Sequence, residues 1–180
     1  MIIIGEKING SIPPVAKAIA EKDAEFIKHR AQIQADANAT YIDCCASVEE
    51  SIEVETLHWM IDLIQEVTDV PICIDSPSPH SCVAAIPFCK KPGLINSVSM
   101  EGDKIDVIFP VIADTKWECV ALLCDDKGIP NSVERRMEVF HNVMEKAKEY
   151  GIAPSRLHID PLVVTLSTYE EALTTFAECC

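Results

Sequence analysis

Four short apolar runs in this chain end on an aspartate or asparagine, and that shared ending limits the fold more than any other feature. They are Tyr41-Ile42-Asp43, Pro71-Ile72-Cys73-Ile74-Asp75, Leu94-Ile95-Asn96-Ser97 and Leu157-His158-Ile159-Asp160. A run that is apolar without alternation, such as Ile72-Cys73-Ile74, reads as a strand covered on both faces, as parallel strands are. Its polar residue then stands at the carboxyl end, where parallel α/β proteins bind ligands. One such strand carries little information. Four suggest a single polar site assembled from several strands.

The segments between these runs have helical spacing. Ile2-Ile3-Ile4 is a first strand, followed by a polar loop to Gly10. Pro13 and Pro14 suit a first helical turn, and residues 15–37 continue as helix, with Asp23 able to cap a fresh start inside it. Residues 49–67 bury Val54, Leu57, Met60, Ile61 and Ile64 on one helical stripe. Further helices are expected over 80–89, from Asp103 to a kink or stop at Pro110, and from a Ser132 cap to near Gly151. The fourth and fifth strands are expected over 93–97 and 118–124. Thr168-Tyr169-Glu170-Glu171 has the character of a capping box opening a last helix. Six β–α units in strict alternation imply a parallel sheet with helical crossovers.

Two architectures fit that pattern, an open doubly wound sheet and a (β/α)8 TIM-type barrel. Polar residues ending most strands favour a ring of strands around one mouth. The 180 residues fall short of the roughly 250 that a barrel typically takes. The expectation is one domain over residues 1–180, a barrel lacking its last two units.

The net charge of −14, from 29 acidic and 15 basic residues, argues against nucleic acid and against an anionic membrane surface. No apolar stretch reaches transmembrane length. Nine cysteines are present without a zinc-type spacing, and Cys44, Cys73, Cys119 and Cys124 sit in apolar runs. Reduced thiols, a cytoplasmic location and no metal site are expected.

The ordered motifs resemble the methyltetrahydrofolate:corrinoid methyltransferase family. Ile4-Gly5-Glu6-Lys7-Ile8-Asn9-Gly10 resembles its first-strand signature, and Gly128-Ile129-Pro130 its loop after strand five. Ile74-Asp75-Ser76, Leu94-Ile95-Asn96-Ser97 and His158-Ile159-Asp160-Pro161-Leu162 resemble its pterin-binding strand ends, in order and spacing. The resemblance covers essentially the whole chain. It implies a dihydropteroate-synthase-like barrel that transfers a methyl group, in either direction, between N5 of methyltetrahydrofolate and the cobalt of a corrinoid (cobalamin) held by a partner protein. It also implies a homodimer. The family's polar residue on strand seven falls beyond the six units counted here. Alternatives are a non-catalytic pterin-binding or barrel-assembly module, or another pterin barrel such as dihydropteroate synthase. The first loop of that enzyme is replaced here by Lys7-Ile8-Asn9-Gly10.

A pterin offers ring N–H and amine donors beside a carbonyl acceptor. A carboxylate accepts two such donors together, and an asparagine amide both donates and accepts. Asp75, Asn96 and Asp160 supply that combination and are the expected catalytic and pterin-binding residues. The competing reading of each alone is a cap for the following helix. Asp43 either lines the same mouth or holds the first loop. Ser97, Glu6 and Asn9 are further candidates, with Glu6 and Asn9 expected mainly to order the first loop. His158 shares a strand face with Asp160 and is expected to be a packed residue. The adjacent Cys179 and Cys180 lack a third ligand and make no metal site.

Overall fold

In the computed structural model, which describes residues 1–165 and 171–180, the chain divides into two units, Met1–Asn96 and Ser97–Cys180. The first contains β1 (Ile4–Gly5), α1 (Pro13–Glu21), α2 (Ala24–Asp36), β2 (Tyr41–Cys45), α3 (Glu50–Val67), β3 (Ile72–Asp75), α4 (Pro79–Ala85) and the start of β4 (Leu94–Met100). Its strands run parallel in chain order, β1-β2-β3-β4. A doubly wound sheet reverses its strand order partway, whereas a barrel wall adds strands in sequence. The first unit follows the barrel rule.

Register assigns the two faces of this sheet. Cys44 lies beside Ile74 and Ile42 beside Ile72, while Ile74 lies beside Ile95. All five are buried. The α3 stripe of Leu57, Met60, Ile61 and Ile64 is buried too, as its spacing requires. Alternation puts Asp43, Cys45, Cys73, Asp75 and Asn96 on the opposite face.

Three boundaries differ from expectation. Only Ile4 and Gly5 pair in β1, and Ile2 and Ile3 are exposed. The Ile3 carbonyl instead accepts from Thr40 and Tyr41 N–H at 2.7 and 3.2 Å. The helix expected over 80–89 stops at Ala85, and a 3-10 turn over Ile86–Phe88 follows, because Pro87 has no N–H to continue it. β4 runs three residues past its expected end, so Asn96 and Ser97 lie inside the strand rather than at its end. The break after α1 is as expected: Lys22 adopts a φ of 53°, and the Asp23 carboxylate accepts from Phe26 N–H at 3.1 Å.

The second unit contains the end of β4, α5 (Lys104–Ile112), β5 (Glu118–Asp125), α6 (Val133–Glu149), β6 (Leu157–Asp160) and α7 (Ala172–Cys179). β5 and β6 are parallel, with Val120 beside His158 and Leu122 beside Asp160. Pro110 sits inside α5, which ends two residues later. Arg156 closes that end by donating to the carbonyls of Ile112, Ala113 and Trp117 at 2.6–3.0 Å. A cation is well placed there, against the negative end of the helix dipole. Ser132 caps α6 by accepting from Arg135 N–H at 3.3 Å, and Gly151 turns the chain after the helix with a φ of 71°. The capping box expected at 168–171 lies, but for Glu171, outside the described residues.

Candidate functional site

The polar residues of the first unit gather where β3 ends. Asp75 is the last residue of β3 and lies directly beside Asn96 of β4 and Cys45 of β2. The Asn96 carbonyl accepts from Ser76 N–H at 3.2 Å, which ties the two chains just past Asp75. Because β4 continues beyond this point, alternation turns Ser97 to the opposite face from Asn96. Asp75 and Asn96 are both half-buried.

Ser76 holds the turn that follows. Its hydroxyl, which is buried, donates to the Glu53 carboxylate at 2.9 Å and accepts from Ser78 N–H at 3.0 Å. Glu53 comes from α3 and is itself buried at 4% exposure. It was not singled out from sequence. The available signal was an acid one turn before Leu57, on the stripe that buries Met60 and Ile64. Ser78 accepts from Ser81 N–H at 3.3 Å and starts α4, with Pro79 in its first turn.

Asp43 is 1% exposed, and among the described residues its Oδ1 has no hydrogen-bond partner. Its pKa is raised to about 7, chiefly by burial and then by the charges of Asp75 and Glu6. The Cys73 thiol and the Asn96 amide, both directed at it, pull the other way. Burial also raises the Asp75 pKa, which a hydrogen bond from Cys45 lowers and the charges of Glu6 and Glu53 raise. Two carboxyl groups on one sheet face thus compete for negative charge. Asp43 thus interacts with Asp75, Cys73 and Asn96 of the neighbouring strands and with the charge of Glu6 on the first loop.

The first loop is organised by Asn9. Its Oδ1 accepts from Ser11 N–H and Oγ at 2.8 and 2.6 Å, and from Ser47 Oγ at 3.3 Å. Gly10 N–H donates to the Cys45 carbonyl at 2.9 Å, and a Cβ at Gly10 would fall 2.0 Å from the Ala46 carbonyl oxygen. Gly10→Ala is therefore expected to lower stability by about 2 kcal/mol or more in urea unfolding, since backbone cannot yield to the extra carbon cheaply. An unchanged midpoint would show that the loop shifts freely. Glu6 is exposed and acts on Asp43 and Asp75 by charge.

In the second unit Asp160 ends β6, and its Oδ1 accepts from Leu162 N–H at 2.8 Å. Asp160 thus uses one oxygen as a turn cap. His158 shares its face, and its Nε2 meets the Glu118 carboxylate at 2.5 Å in a partly buried pair. None of the nine cysteines forms a disulfide, and burial pushes Cys45 and Cys82 up to about 12, which leaves both as neutral thiols. Among the described residues no helix is long and apolar enough to cross a membrane.

Comparison with known proteins bears on this arrangement. The family described as pterin binding enzyme matches residues 16–178. A methylcorrinoid:tetrahydrofolate methyltransferase of Eubacterium limosum is 53% identical over 178 residues, which cover 98% of this chain and 66% of the relative. A methionine synthase of Mycobacterium leprae is 25% identical over 95% of this chain and 15% of its own length. The dihydropteroate synthase of Xanthomonas albilineans, solved with 7,8-dihydropteroate, superposes with a TM-score of 0.66 at 21% identity, over 99% of this chain and 67% of that one. The chain spans just under two thirds of the first relative. Its fold is that of an incomplete (β/α) barrel of the dihydropteroate-synthase type.

Proposed function

Because the chain belongs to the pterin binding enzyme family, we propose that it binds the pterin of a tetrahydrofolate and serves methyl transfer between N5 of methyltetrahydrofolate and a corrinoid protein. The observation that carries this reading is the side-by-side placement of Asp75 and Asn96 above the buried Asp43. Asp75 presents two acceptor oxygens for the ring N–H and the amine, and the Asn96 amide meets the carbonyl as donor and its neighbours as acceptor. Asp160, which ends β6 in the second unit, is proposed as a further pterin contact on the strength of its strand-end motif. Glu6 sets the charge of the mouth, and Asn9 orders the loop that borders it. The 53% identity to a methylcorrinoid:tetrahydrofolate methyltransferase supports this substrate pair over that of dihydropteroate synthase.

N5 of a methyltetrahydrofolate is a tertiary amine and leaves poorly unless it gains a proton or a strong hydrogen bond at the transition state. A hydrogen-bond network around the ring suits that need, and the chain's own contribution is position and electrostatics. The corrinoid, brought by the partner protein, supplies the cobalt that exchanges the methyl group. The same site serves either direction.

Titration of the 180-residue chain with methyltetrahydrofolate is expected to give a Kd of roughly micromolar order, about −8 kcal/mol. Absence of binding at millimolar ligand would sink the proposal. Methyl transfer with free cob(I)alamin then separates an enzyme from a binding module: turnover identifies the first, and binding without turnover the second.

A further inference from the structure

We propose that Arg136 is a positioning residue for the pterin site, holding the Asp160 carboxylate in place through the backbone of Leu162. The inference rests on the reading of Asp160 as a pterin contact. Arg136 stands near the start of α6 and is 0% exposed. Burying a guanidinium is costly, and such groups add little net stability over an apolar side chain of the same size. Its bonds show what the burial achieves. Nε donates to the Pro130 carbonyl at 3.0 Å, in the loop after β5, and Nη1 donates to the Leu162 carbonyl at 2.7 Å, in the segment after β6. Among the described residues Nη2 has no hydrogen-bond partner. The guanidinium therefore spans two segments at the carboxyl ends of neighbouring strands.

Leu162 is the reason this span matters. It holds a φ of +64°, a left-handed conformation uncommon and unfavourable for leucine. It is fixed at both of its polar groups: its carbonyl accepts from Arg136, and its N–H donates to Asp160 Oδ1 at 2.8 Å. The direction of the Asp160 carboxylate follows from where Leu162 sits, and Arg136 sets that place. One carboxylate oxygen is committed to the backbone, so the other is presented to the ligand in a single orientation. A lysine cannot substitute fully, because its ammonium is a point charge without the planar fork that reaches two carbonyls at once.

The test is a double-mutant cycle read by calorimetric titration of methyltetrahydrofolate into the full chain, with thermal unfolding of each variant. Asp160→Ala is expected to weaken binding about 30-fold and Arg136→Met about 10-fold, as loss of a charge-assisted contact and of its alignment would. In the Asp160→Ala background, Arg136→Met is expected to change binding less than about twofold, because its effect passes through the missing carboxylate. Arg136→Lys is expected to restore part of the loss. Wild-type binding by Arg136→Met beside a weakened Asp160→Ala would overturn the inference, and so would losses that multiply in the double variant. If Asp160→Ala binds as wild type does, the pterin reading of Asp160 fails in that arm alone and the inference falls with it. Should Arg136→Met not fold, the same cycle run with Arg136→Lys decides by the same rule.

Discussion

Replacing Asp75 by alanine is expected to weaken methyltetrahydrofolate binding about 100- to 1,000-fold, the equivalent of roughly 3–4 kcal/mol for two charge-assisted hydrogen bonds. Asp75 is the group whose place leaves fewest other uses. It ends β3 beside Asn96, it is half-buried, and burial together with the charges of Glu6 and Glu53 raises its pKa. Ligand donors favour the ionised form, so binding opposes the burial that raises this pKa. Asp75→Asn distinguishes charge from shape: it keeps the volume but offers one acceptor where two were needed, and binding should fall nearly as far. Wild-type affinity in Asp75→Ala would remove Asp75 from the site.

Asp43→Asn should change how stability depends on pH. The Asp43 pKa is raised from 3.8 to about 7 in the native chain. The native state then holds this proton more tightly than the unfolded state, so stability from this group is full below about pH 4 and is lost as pH rises through about 7. Three units correspond to a loss of about 4 kcal/mol over that window. The asparagine has no proton to lose and keeps a side chain of the same size, so its urea midpoint should change far less between pH 5 and pH 8. The residual slope belongs to Asp75, whose raised pKa acts in the same direction. Equal slopes in the two proteins would show that Asp43 titrates in the native state as it does in the unfolded chain, and the raised value would be wrong. Asp75→Asn offers a second check, since it removes the charge that ranks after burial in raising Asp43. The wild-type slope should then move to lower pH.

The two changes are linked by one sheet face. Asp43 and Asp75 lie two residues apart in register across β2 and β3, because Asp43 pairs with Cys73. A ligand that binds the ionised Asp75 keeps its negative charge in place and so helps to keep Asp43 protonated. Ligand binding and the titration of Asp43 should therefore shift together. Calorimetry in two buffers of different ionisation heat reads that proton directly.

Much of this was legible in the chain. The strand ends at Asp75 and Asp160, the caps at Asp23 and Ser132, and the helix at 50–67 follow from local rules: apolar runs, capping side chains and a 3.6-residue stripe. What misled was also local. A helix over 80–89 ignored Pro87, and an end to the fourth strand at Ser97 treated Asn96 as punctuation. In β4 the strand continues past Asn96 and Ser97 to Met100, with the buried, β-branched Val98 carried in it. Glu53 and Arg136 were missed for a different reason. A charged side chain is expected at the surface, and only the packed structure shows that each is buried.

The sequence by itself determined the alternation of strand and helix, the polar character of the strand ends and the family to which they belong, because these depend on neighbours along the chain. The tertiary structure alone decided which of those polar residues share a face, which are left without a partner and which hold others in position. Those properties come from parallel register and burial, and they join residues such as Asp43 and Asp75, or Arg136 and Leu162, that lie tens of positions apart. Periodicity reads one strand at a time. Charge competition between two strands exists only once they are paired.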